Sequence, residues 1–77
     1  MRPIKETERL LEKLLKDEYK LSRKIETLDS FLNYGRKPYD VSKEEFLLLC
    51  DQMRAMISYY EVMTERIKYL RRSIAFR

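Results

Sequence analysis

Two runs of apolar residues, each stepping by three and then by four, limit what this chain can become more than any other feature. The first reads Ile4, Thr7, Leu11, Leu14, Glu18, Leu21, Ile25, Leu28, Leu32, with seven of nine positions apolar. The second reads Phe46, Leu49, Met53, Met56, Tyr60, Met63, Ile67, Leu70, Ile74, and all nine are apolar or aromatic. Alternating steps of three and four are the seven-residue repeat of a packed helical seam. Between the runs lies FLNYGRKPYDVSKEEF, residues 31–46, which holds the one Gly and one of the two Pro. The pattern predicts an all-α chain, an antiparallel two-helix hairpin of coiled-coil type. It forms a single domain over residues 1–77, with helix one at about 3–33, a turn at 34–41 and helix two at about 43–75.

Local signals mark the ends. Pro3 is tolerated in a first helical turn, and Glu6 and Glu8 suit the positive end of the helix dipole. Asn33 and Gly35 offer the left-handed conformation that ends helices. Ser42 followed by Glu45 is a capping box, with Val41 and Phe46 as its hydrophobic staple. Folded at the turn, the stripes pair in register, Leu28 on Leu49, Leu21 on Met56 and Leu14 on Met63. Glu18 then faces Tyr60, whose hydroxyl can donate to it, unless the carboxylate bends out to solvent.

Seventy-seven residues bury little surface, and a chain of this length usually needs a staple or a partner. One Cys and no His exclude an internal disulfide and leave no plausible zinc set. Cys50, inside an apolar run, reads as a buried inert thiol. Helix two also carries Leu47, Leu48, Ala55, Ile57, Tyr59, Val62 and Tyr69 off its stripe, and a lone hairpin needs an apolar arc of little more than about 100°. The expectation is a homo-oligomeric helical bundle, a dimer or higher, with helix two at its centre.

No apolar run is long enough to span a bilayer, and residues 2–8 lack the apolar core of a signal peptide. The lone Cys also argues against secretion, so the expected setting is cytoplasmic, with no membrane partner. Enzyme signals are absent from the sequence: no His for general base work and no glycine-rich phosphate loop. The acidic pairs Asp17–Glu18 and Glu44–Glu45 lack an accompanying ExxH pattern, so neither a metal nor a cofactor is expected.

The basic residues are less evenly spread. Lys and Arg number 17 against 13 acids, and residues 66–77, RIKYLRRSIAFR, hold five cations and no acid. Arg2 and Lys5 fall beside this segment once the hairpin closes. Cations compensate the helix dipole there. They also make an anion site, with Arg71, Arg72 and Arg2 on phosphate and Tyr69 or Phe76 stacked on a base. The turn repeats the combination, with Arg36 and Lys37 between Tyr34 and Tyr39. It is the second candidate site, although both Tyr can simply pack over the hairpin end.

The layout resembles the small helical-hairpin proteins encoded in tailed-phage genomes, including the crAss-phage-related hairpin family. Its members run KIxxLxxFL, a short turn, an FxxL-type start and then QxxAMxxYxxxLxxRI. Here the stretches are KIETLDSFL at 24–32 and FLLLCDQMRAMISYYEVMTERI at 46–67, with Met63 where that pattern tends to have Leu. The resemblance implies a phage-type protein working in the host cytoplasm. In size, architecture and charge the chain is also similar to phage oligomers that sequester nucleotide signals of bacterial immunity. That analogy implies anti-defence binding of a small phosphorylated nucleotide where subunits meet, without turnover. Two other expectations stay open. One is a module that docks on and inhibits a host protein through exposed Tyr and Arg. The other is non-specific nucleic-acid binding, which a net charge of only +4 and interspersed acids disfavour.

Overall fold

The computed structural model describes residues 2–35 and 41–76, and the side chains of 2–33 and 41–76. The chain forms helix α1 over Ile4–Ser30, one π-helical turn over Phe31–Gly35, and helix α2 over Lys43–Ala75. The two helices pack side by side in a rod of 56 × 16 × 14 Å.

Pro3 precedes α1 with an extended backbone, φ −57° and ψ 148°. Its carbonyl accepts both the backbone N–H of Thr7 at 3.1 Å and the Thr7 hydroxyl at 3.2 Å. That double bond closes the first turn and satisfies a hydroxyl whose residue is 1% exposed. At the start of α2 the Ser42 hydroxyl accepts from the Glu45 N–H at 3.1 Å, the cap the sequence announces. Val41 and Phe46, the expected staple residues, are both half-buried.

The end of α1 departs from expectation. Among the described residues there is no positive φ, so Asn33 does not terminate the helix in the left-handed region. Instead the backbone widens into the π turn, a form that leaves carbonyls out of the regular ladder. The Asn33 amide folds back and donates to the Asp29 carbonyl and to Asp29 Oδ1, both at 2.9 Å. A local side-chain bond replaces the backbone cap.

The stripes read from sequence face each other, but the burial is uneven. The core consists of Leu14 and Leu21 from α1 and Met63, Ile67 and Leu70 from α2, with Leu10, Leu11, Leu15, Ile25, Met56 and Tyr60 packed around it. Seam residues toward the turn, Leu28, Leu32, Phe46, Leu49 and Met53, are only half-buried, and Ile4 at the far end is exposed.

The register also differs. Glu18 meets Thr64, not Tyr60: the Thr64 hydroxyl lies 3.2 Å from Glu18 Oε2 and 3.0 Å from the Tyr60 carbonyl, and its proton serves both acceptors. Leu21 lines a groove with Met63, and Leu28 lines one with Met56. In each case the neighbour on α2 lies further toward its C-terminus than the expected partner. Helical side chains lean toward their own N-terminus, and in antiparallel helices these leans oppose. Residues that touch are therefore not those level along the axis.

Candidate functional site

Helix α2 carries Tyr69 and Arg66 one turn apart, and α1 begins beside them, with Arg2 just before its first turn. The packing of Leu10 on Leu70 holds these three polar groups around one groove of about 340 Å³, lined also by Val62 and Glu65. Its lining combines the aliphatic side chains of Leu10, Val62 and Leu70 with an aromatic ring, two guanidinium groups and a carboxylate. That size falls within the range of small-molecule pockets.

The ion pairs among the described residues are Arg23–Glu26 at 3.8 Å, Arg54–Asp51 at 2.9 Å and Lys68–Glu65 at 3.4 Å. Arg2, Arg66, Arg71 and Arg72 are in none of them, and all four are exposed. Lys68 pairs with one oxygen of the Glu65 carboxylate at the groove, while the two guanidinium groups there are in none of these ion pairs and keep their donors for another anion. A planar guanidinium fork matches the geometry of phosphate or carboxylate oxygens. Tyr69, 62% exposed, offers a ring face for stacking.

The structure thus joins Arg2 to Tyr69, as the sequence suggests, and adds Arg66, which the sequence reading passed over. Helical spacing held the signal, since Arg66 precedes Tyr69 by three residues and shares its side of α2. Arg72 follows Tyr69 by three and continues the same side toward the chain end. Arg71 is two residues from Tyr69 and points to a different side, and neither Arg71 nor Arg72 lines the groove. Phe76 lies past the end of α2 and is 87% exposed.

Of the second candidate site, Arg36, Lys37 and Tyr39 lie outside the described residues, as does the Tyr34 side chain. Beside that turn the structure opens a larger groove of about 500 Å³ between α1 and α2, where Arg23 and Lys24 flank Leu28, Phe31 and Met56. A third groove of about 200 Å³, with Lys20, Lys24 and Tyr59 on its walls, lies between the other two. Cys50 is half-buried and free. Among the described residues no group of three His, Cys, Asp or Glu is placed to hold a metal ion, and no helix is long and apolar enough to cross a membrane.

Residues 8–69 match the family model described as Sequestin, and this is most of the chain, so the protein belongs to the Sequestin family. The family's name denotes sequestration, which is binding rather than turnover. No curated protein and no solved structure matches. The matched span takes in Arg66, Tyr69 and the turn, and excludes Arg2, Arg71 and Arg72.

Proposed function

We propose that this member of the Sequestin family is a non-enzymatic, phage-type anti-defence protein of the host cytoplasm. It binds and holds a small phosphorylated nucleotide immune signal at the subunit interfaces of a homo-oligomer. The observation that carries the reading is the groove lined by Tyr69, Arg66 and Arg2 together with aliphatic Leu10, Val62 and Leu70. The ring stacks on a base, the guanidinium groups grip phosphate, and Glu65 accepts from a ribose hydroxyl or a base N–H. Arg72, and Arg71 on the neighbouring side, extend the positive field that draws an anion to this end.

Holding rather than turning over follows from the chemistry of these groups. Guanidinium and phenol side chains bind charge and rings, but neither takes a proton from water or attacks phosphorus near neutral pH. Because the groove is open along one side of a two-helix rod, tight retention of a ligand needs cover from another subunit.

Calorimetry against cyclic di- and trinucleotides and ADP-ribose derivatives, with the ligand recovered intact, tests the reading. Binding tighter than about 100 μM to one of them is expected. Replacing Arg2 and Arg66 together by Ala should weaken it about a hundredfold or more, at roughly 1.5–3 kcal/mol per charge-assisted contact. If Arg71→Ala with Arg72→Ala leaves affinity intact while Arg66→Ala destroys it, the groove is the site and the chain end only steers. If all of these variants bind normally, the site moves to the turn at Tyr34, Arg36, Lys37 and Tyr39. Failure of every nucleotide transfers the role to docking on a host protein, for which Tyr19, Tyr59 and Tyr69, each more than half exposed, are the anchors.

A further inference from the structure

We infer that a second copy of this chain packs antiparallel along one specific face of α2, centred on Val62, and closes the grooves on that side. This rests on the oligomeric part of the reading above and adds the face, the direction and the residues that the partner supplies.

α1 covers one seam of α2. A second stripe with the same seven-residue period is left uncovered: Leu48, Ala55, Val62, Tyr69 and Phe76. All are exposed, Leu48 by 61%, Val62 by 58%, Tyr69 by 62% and Phe76 by 87%. At 1.5 Å per residue the stripe runs about 42 Å, nearly the whole of the helix. Gln52, Tyr59, Arg66 and Ser73 alternate with it on the side next to α1, which completes a second run of threes and fours.

The grooves belong to this same flank. Their α2 walls include Gln52, Tyr59 and Arg66, and their α1 walls include Leu10, Asp17, Lys24 and Phe31, again every seventh residue. One side of the hairpin is thus a trough that runs from the chain ends to the turn.

A small ligand covers one repeat of such a stripe, whereas four successive repeats match another helix of similar length. α1 is already engaged, so the helix that fits is α2 of a second copy. Laid antiparallel about a two-fold axis at Val62, the stripe is complementary to itself. Val62 meets Val62, Leu48 meets Phe76, and small Ala55 meets bulky Tyr69. The dyad sets each flank against itself, and the flanking residues agree: Arg66 comes opposite Tyr59, Glu65 opposite Ser58 and Asp51 opposite Arg72, so none of these pairs is like-charged and the last is of opposite charge. A parallel arrangement would instead stack Tyr69 on Tyr69 and align each charge with its own copy.

The antiparallel dyad brings the partner's Tyr59 to the wall of the Arg66 and Tyr69 groove. It also sets only the methyl of the partner's Ala55 against the Tyr69 ring, which leaves space beside that ring for a flat ligand. The binding groove is then complete only in the dimer.

Cross-linking with a short bismaleimide tests the geometry on the full chain carrying Cys50→Ser. Val62→Cys should give a covalent dimer, and Ile57→Cys, on the far flank of α2, should not. Chains with Ala55→Cys and with Tyr69→Cys should link to each other and neither to itself. No dimer from Val62→Cys, or self-linking of Ala55→Cys, overturns the arrangement. Val62→Asp should weaken association at least about a hundredfold in light scattering while circular dichroism stays helical. Should that variant fail to fold, the cross-links decide. Calorimetry on the unmodified chain separates this inference from the function. A cross-linkable dimer that binds no nucleotide ends the nucleotide reading alone, and a monomer that binds one ends the dimer and the interface location while leaving nucleotide binding standing.

Discussion

Near the chain ends, Leu14 and Leu21 of α1 pack with Met63, Ile67 and Leu70 of α2, and none of the five is more than 9% exposed. Near the turn, Leu28 and Leu32 lie with Leu49, Met53 and Met56 on the same two stripes, and all are half-buried. Phe31, Leu47 and Leu48 are exposed there outright, and a groove of about 500 Å³ lies in this half. The two halves are built from the same repeat and the same residue types, so hydrophobic pattern alone does not set how closely two helices approach. What differs is the backbone. In the terminal half α1 is a regular helix, started by Thr7 folded onto the Pro3 carbonyl. In the turn half the regular helix stops at Ser30 and a π turn follows over Phe31–Gly35.

The largest expected effect follows from that contrast. Met63→Asp puts an unpaired charge at a position 1% exposed and should cost about 4 kcal/mol or more, enough to unfold a domain of this size. Met53→Asp lies at the same kind of seam position but half-buried. Reading the seam as uniform makes Met53 as critical as Met63; with the core displaced toward the chain ends, Met53→Asp should cost about 2 kcal/mol and leave a folded protein. Urea denaturation followed by circular dichroism compares the two, and equal losses would erase the distinction between the halves.

Hydrogen exchange should show the same gradient without mutation. Amides of 11–21 and 60–70 should be the slowest, and those of 25–33 and 46–56 should open at about 2 kcal/mol lower free energy. Thr7→Val keeps the shape of a buried side chain but removes its bond to Pro3, for an expected loss of about 1 kcal/mol felt mainly in the terminal half. At the small end of the scale, Arg54→Ala removes an ion pair whose side chains are 78% and 64% exposed. A change of no more than about 0.3 kcal/mol is expected in the thermal midpoint analysis.

Sequence alone determined the two helices, the stripes that face each other and the start of α2. These depend on short-range rules: the period of the apolar residues, and a Ser hydroxyl three residues before the N–H it caps. Sequence also singled out Tyr69 with a basic end around it, because charge density can be read without a fold. The register was decided only in three dimensions. Glu18 found Thr64 one turn past Tyr60, since the lean of opposed side chains adds an offset that spacing within either helix does not contain. The site was decided there too. Arg2 and Arg66 are 64 positions apart, and only the packing of Leu10 against Leu70 sets them on one groove, while Arg71, adjacent in sequence, turns to another side of the helix.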